Sequence, residues 1–190
     1  MDAPRVGSRI DLTFRTECPM MPSAMRPGRK DIMKEHEIKE TAAQLLSAHG
    51  LSYVPVKTTN ARRYMGKAVA KRTEDGGSTP SELRLSKRIL SLLPREEVID
   101  TILHEIAHFI AGVHNGHNEA WRAACVRVGA NPERTADIGG DVRAAVSKYR
   151  LTCEECGQEH YMNRRPKYAY TDYRCGSCGG PVGPLEVLGE

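Results

Sequence analysis

The sequence predicts an α+β fold, a small sheet followed by one strongly amphipathic helix, with a compact module attached at the C-terminal end. Three observations predict it. Strand-like stretches fall at residues 51–57, 64–72 and 82–85, an apolar helical stretch runs from about 97 to 110, and two C-x-x-C pairs stand eighteen residues apart near the end of the chain. Strands grouped ahead of helices, rather than alternating with them, mark an α+β domain.

Residues 1–30 carry Pro4, Pro19, Pro22 and Pro27 with little hydrophobic periodicity, so a disordered N-terminal arm is expected there. Asp31 is the expected N-cap of a first helix reaching about His49, with Ile32, Leu45 and Leu46 among its apolar positions and Gly50 ending it. His36 and His49 read as surface residues. In the first strand, Pro55 cannot donate to a ladder and so implies an edge or a bulge. Asp75-Gly76-Gly77 supplies the turn after the second strand, and Pro94 breaks the chain after the third. Arg62, Arg63, Lys67, Lys71 and Arg72 make this middle region basic, a pattern that suits a DNA-facing patch or a plain solvated strand face.

The helix carries Thr101-Ile102-Leu103-His104-Glu105-Ile106-Ala107-His108-Phe109, an H-E-x-x-H on an apolar background. At roughly 100° per residue, His104 and His108 lie about 40° apart around the axis and one turn apart along it. Glu105 projects about 60° further round. With His104 at 0°, Val98, Ile99, Ile102, Leu103, Ile106, Phe109 and Ile110 fill an arc of about 120° to 260°. Glu97, Asp100, Thr101, Glu105 and His108 occupy the rest, so one face packs into a core and the other meets a cleft or water. Two neutral imidazoles one turn apart can hold one Zn²⁺, with the intervening carboxylate placed to act as base toward water that the ion activates.

A catalytic zinc needs a third protein ligand and an open fourth position. His114 lies six residues after His108, as in metzincins, but Gly112 comes one residue late for that pattern and no methionine between His108 and Met162 could supply the Met-turn. Glu119 and Glu133 would make a glutamate-ligand site. His117, in Gly116-His117-Asn118-Glu119-Ala120-Trp121, is favoured: Gly112 and Gly116 let the chain turn back, and a helix over 118–128 would carry Trp121 one turn beyond the ligand.

Past Gly129 and Asn131-Pro132, residues 133–147 read as a short helical connection with a hinge at Gly139-Gly140. Then come Cys153-Glu154-Glu155-Cys156 and Cys175-Gly176-Ser177-Cys178. Each C-x-x-C makes a knuckle presenting two thiolates, and two knuckles complete a tetrahedral structural zinc site. About 35 residues bury too little to fold unaided, so zinc is expected to supply most of the ribbon's folding energy, on the order of 10 kcal/mol. The helix-borne site is expected to survive loss of the ribbon. Arg164, Arg165 and Lys167 interleave with Tyr161, Tyr168, Tyr170 and Tyr173, which suits single-stranded nucleic acid and equally suits ribbon strands. Cys18 and Cys125 are left over as inert thiols.

HEIAH, a short glycine-containing loop and then G-H-x-x-x-W together resemble the SprT-like metalloprotease family, which includes the Spartan-type proteases of DNA–protein crosslinks. The resemblance runs from about residue 38 to 183; Asn118 stands where many members have Gly. It implies a zincin-like α+β metalloprotease domain over 31–147, in which an edge strand binds extended substrate, then a zinc ribbon over 148–183 and a tail over 184–190. It implies His117 as third zinc ligand and Glu105 as general base. The implied partners are a protein substrate and DNA, single-stranded DNA foremost. A DNA-binding or regulatory zinc protein without enzymatic activity is the alternative, against which Glu105 argues, since a purely structural site gains nothing from a carboxylate beside its histidines.

Composition narrows the setting. No apolar run approaches the roughly 20 residues of a membrane span, and the N-terminus lacks a signal peptide's apolar stretch. Cysteines in C-x-x-C pairs favour metal in a reducing compartment over disulfides. A cytoplasmic or nucleoid-associated, monomeric protein is expected. The net charge of +4 permits a nucleic-acid partner without demanding one.

Four thiolates and three imidazoles in separate sets imply two zinc ions per chain. Elemental analysis of protein purified without added metal should find close to two, falling to one in Cys153→Ser. A value of one, unchanged by that substitution, excludes the ribbon site.

Overall fold

The computed structural model describes residues 31–188 apart from 75 and 133–137. The expected N-terminal arm, Cys18 and the alternative ligand Glu133 lie outside the described residues.

Strands β1 (Val56–Thr59), β2 (Gly66–Arg72) and β3 (Ser78–Ser86) form a sheet in the order β1-β3-β2. Strand β3 is central because it carries Leu83 and Leu85, both 0 % exposed, toward the helices. It is longer than the expected 82–85. Its first half, Ser78-Thr79-Pro80-Ser81, lacks an apolar alternation, and the partner strand accommodates Pro80 through a register shift between Val69 and Ala70. Pro55 stands just before β1, an edge strand that starts at Val56 and runs parallel to β3.

Helix α1 (Glu35–Ala48) starts later than expected, and Asp31 is not its N-cap. Asp31 instead pairs with Arg95 at 2.9 Å and accepts the Arg95 backbone N–H at 2.8 Å. Ile32, 46 % exposed, bridges to Pro94 outside the helix. The helix start is satisfied by Glu37, whose carboxylate accepts the Lys34 N–H at 2.7 Å. Residues 31–34 thus strap the beginning of α1 to the beginning of the central helix. Ile38, Ala42 and Leu46, at four-residue spacing, form its buried stripe. His36 is exposed and His49 half-buried, neither in a group that could hold a metal.

A one-turn helix, α2 (Lys87–Leu90), had no periodic signal. Ser86 Oγ caps it by accepting the Ile89 N–H at 3.3 Å, and it buries Ile89 and Leu90. Helix α3 (Arg95–Ala111) carries H-E-x-x-H, buries Val98, Ile102 and Ile106 completely, and packs on α4 (Glu119–Val128) and on β2. Asn118 caps α4 through the Trp121 N–H at 3.2 Å, and Gly129 ends it in the left-handed region. Helix α5 (Gly140–Val146) leads into the ribbon, with Gly140 as its first residue. Among the described residues no helix is long and apolar enough to cross a membrane.

The ribbon is a second sheet, β4 (Tyr149–Thr152), β5 (Glu159–Met162) and β6 (Glu186–Val187), in the order β5-β4-β6. Strand β6 lies past residue 183, so the expected tail is partly an edge of this sheet. Arg150 on the central strand explains it: the guanidinium reaches Glu159 on β5 at 2.5 Å and Glu186 on β6 at 2.6 Å.

Ile102 is wholly enclosed beneath the site, so Ile102→Ala should destabilise the protein by about 2–5 kcal/mol in urea unfolding. Val126, 70 % exposed on α4, should tolerate Ala within about 0.5 kcal/mol.

Candidate active site

Helix α3 presents His104 and His108 on one side, and the loop after it brings a third imidazole to them. Gly112 (φ 88°) ends the helix, a 3₁₀ turn spans Val113–Asn115, and Gly116 (φ 56°) redirects the chain so that His117 points back. His117 Nε2 lies 3.1 Å from His104 Nε2 and 3.2 Å from His108 Nε2. His114 takes no part. Its ring covers Gly112, where an added Cβ would come within 2.8 Å of His114 Cε1. Glu119 is exposed at the start of α4, outside the trio.

Trp121 sets the imidazoles from below. Its indole, 2 % exposed, lies 4.8, 5.5 and 4.4 Å from the ring centroids of His104, His108 and His117. Its Nε1–H has no hydrogen-bond partner among the described residues, so the ring acts by packing. Burial, followed by His104 and His117, pushes His108 down to about 4, which keeps this imidazole neutral with a lone pair to offer. Three nitrogens bound at 2.0–2.1 Å around a tetrahedral ion would stand about 3.3–3.4 Å apart, and the two separations from His117 Nε2, 3.1 and 3.2 Å, lie within a few tenths of that. The trio fits a metal ion with one position left open.

Glu105 borders the cleft beside His104 from a nearly enclosed position. It is 8 % exposed, and its Oε2 accepts the Ala68 N–H from β2 at 2.7 Å. Burial raises its pKa to about 7, opposed by that N–H. Gly66 makes the approach possible: a Cβ there would sit 2.6 Å from Glu105 Cγ and 2.9 Å from Oε1. Beside His104 and Glu105 opens a pocket of about 180 Å³ walled by Tyr64, Met65, Gly66 and Thr101. Gly66 and Ala68 were not anticipated from sequence. The available signal was a glycine at the start of a strand, which marks close approach of another group.

The second donor set is Cys153, Cys156, Cys175 and Cys178. Cys153 and Cys178 Sγ stand 3.5 Å apart, and Cys156 and Cys175 Sγ 3.7 Å, near the roughly 3.8 Å of a tetrahedron with 2.3 Å bonds. His160 Nε2 lies 3.3 Å from Cys175 Sγ, where its N–H can donate to a thiolate. Cys125 is buried, and burial pushes its thiol up to about 11, as suits an inert residue.

The expected cations divide. Arg63, Lys67 and Lys71 are exposed, as are Arg164, Arg165 and Lys167 on the loop after β5. Arg62 turns inward instead, its guanidinium donating to the Val146 carbonyl at 2.8 Å, and leaves the exposed set. The Asn163 side-chain amide donates to the Arg62 carbonyl at 3.1 Å. That contact joins the segment before β2 to the ribbon, so Arg63 and Arg164 follow it on two sides of one junction.

Fold and donors together give a group of three histidines that could hold a metal ion, with a buried carboxylate on the same helix, under the edge strand of a small sheet. The sequence model of the SprT-like family matches residues 36–140, and the chain belongs to that family. The match ends before the ribbon. Among curated proteins, the DNA-dependent metalloprotease dvc-1 of Caenorhabditis elegans is 28% identical over 105 residues, which covers 52% of this chain and 28% of that protein. The chain therefore matches little more than a quarter of that relative's length. No solved structure matches.

His117→Ala should remove metal from the histidine set and leave the ribbon's, so that stoichiometry falls by one. His114→Ala should leave it unchanged. The reverse pattern would assign the third ligand to His114.

Proposed function

We propose that the chain is a zinc metallopeptidase acting on proteins bound or crosslinked to DNA. The observation that carries the reading is a buried carboxylate, Glu105, beside three imidazoles in which His117 Nε2 stands 3.1 Å from His104 Nε2 and 3.2 Å from His108 Nε2. Zn²⁺ held by His104, His108 and His117 would supply Lewis acidity toward a peptide carbonyl and toward water in the open position. Glu105 does the proton work. Its Oε2 is engaged by the Ala68 N–H, so Oε1 takes the proton from attacking water and delivers it to the leaving amine. Burial makes this carboxylate more basic than an exposed one, which suits the role at neutral pH. Strand β2 is the sheet edge beside the pair, and an extended peptide can lie along it.

The DNA half of the proposal draws on the relative named as DNA-dependent and on the cations at the junction. Arg63, Lys67 and Lys71 on one side, and Arg164, Arg165 and Lys167 on the other, offer phosphate contacts. Tyr168, 60 % exposed with Lys167 Nζ 5.3 Å from its ring centroid, offers a stacking face for an unpaired base.

Cleavage of casein or histone by wild type and Glu105→Gln, with and without single-stranded DNA, tests this. The variant should hold both metals and lose at least the 10²–10⁴-fold typical of general acid–base catalysis. A wild type that binds DNA but cleaves nothing would leave the non-enzymatic reading standing.

The same substitution has a signature in metal-stripped protein. The folded-state pKa of Glu105 is raised from 4.5 to about 7, so the native state disfavours its charged form. That penalty is absent below 4.5 and grows as pH rises through about 7. Glu105→Gln should therefore be the more stable protein at pH 8, by on the order of 3 kcal/mol, with the difference vanishing near pH 4. Denaturant melts at both pH values read it.

A further inference from the structure

Residues 61–65 belong to no helix or strand, yet they wall two cavities. One is the 180 Å³ pocket beside His104 and Glu105. The other, about 320 Å³, lies between this domain and the ribbon, where Tyr64 and Met65 face Val146, Tyr161 and Asn163. Immediately after the segment come Gly66, pressed on Glu105, and Ala68, which holds its carboxylate.

An irregular segment is placed by its tethers. Three come from the sheet: Thr59 Oγ1 accepts the Ala61 N–H at 3.4 Å, Ser86 Oγ donates to the Ala61 carbonyl at 2.6 Å, and the Ser86 N–H donates to the Met65 carbonyl at 2.7 Å. The other two come from outside it, the Arg62 guanidinium on the Val146 carbonyl at 2.8 Å and the Asn163 amide on the Arg62 carbonyl at 3.1 Å. Asn163 follows β5 directly. Strand β5 pairs with β4 from Tyr149↔Met162 to Thr152↔Glu159, and β4 runs straight into Cys153. The tether on Arg62 is therefore anchored at its far end in the sheet that leads into the ribbon's cysteine knuckles.

We propose that Asn163 is a positioning residue of the active site: through Arg62 it fixes the segment that seats Gly66 and Ala68 against Glu105, and so makes the ribbon part of the catalytic unit. This rests on the peptidase reading above, and it replaces the expectation that the two modules are separable. A hydrogen bond that merely docks the ribbon would leave the segment and the chemistry unmoved when removed.

The test is Asn163→Leu in the full chain, together with Asn163→Asp, which keeps the size and removes the donor. Hydrogen–deuterium exchange over 61–68 is read without substrate, and kcat and KM are read on a short unstructured peptide without DNA. One neutral hydrogen bond is worth about 0.5–1.5 kcal/mol, so exchange and kcat should each change by roughly threefold to tenfold. Exchange should quicken over 61–68 but not over 95–111, and kcat should fall with KM unchanged. If a variant also loses the ribbon's zinc, the same rise over 61–68 is expected, because the tether is lost by either route. Unchanged exchange over 61–68, or a change in KM alone, overturns the inference. A wild type without peptidase activity would instead defeat the functional proposal, and the exchange result would still decide the tether.

Discussion

The structure depends on one contact, the burial of Glu105 against strand β2. A carboxylate removed from water is unfavourable, and among the described residues the Ala68 N–H at 2.7 Å offsets the loss. That donor is available because β2 is an edge: its other side is bonded to β3, and its outward N–H groups have no ladder to join. A central β2 could not make the contact. Nor could a strand with a side chain at position 66, where the helix leaves no room for a Cβ. Strand order, the glycine and the depth of the helix under the sheet all meet the needs of that one carboxyl group.

Elements announced by periodicity or end chemistry were readable in the chain. The helix over Arg95–Ala111, the Asn118 cap with α4 behind it, and the paired C-x-x-C knuckles all depend on residues close in sequence. The turn back to His117 was readable from Gly112 and Gly116. What the sequence hid depends on distant partners. Asp31 looks like a cap until Arg95, 64 residues away, claims it. Arg62 looks like a surface cation until Val146 accepts its guanidinium. Glu105 falls on the polar arc of its helix, and only the presence of β2 above it makes that arc an interior. Strand β6 contributes two residues to a sheet, too few for a period, and Arg150 recruits it.

The two donor sets are built by opposite strategies. The histidines stand on a domain whose core is complete without them, among wholly buried residues such as Ile102, Ile106, Leu83 and Leu85. The ribbon has four buried core residues, Leu151, Cys153, Cys175 and Val182, and two of those belong to the four-cysteine group that could hold a metal ion. A metal on those sulfurs would therefore be a structural member in the literal sense, while the histidine set stands on a scaffold packed without it. The Arg62–Asn163 contact couples these unequal parts, so the less self-sufficient module borders the chemistry of the other.

Trp121 carries one consequence of a different kind. It is the chain's single tryptophan, and its indole touches all three histidines. Intrinsic tryptophan fluorescence from this protein originates wholly at the three histidines. Emission that in most proteins averages over several environments here comes from one chromophore, stacked on His108 and edge-on to the other two imidazoles. Protonation of those rings, or an ion drawing on their electrons, alters the quenching of a ring in van der Waals contact with them. The molecule carries its own optical gauge of site occupancy, needing no label and blind to the ribbon's four sulfurs.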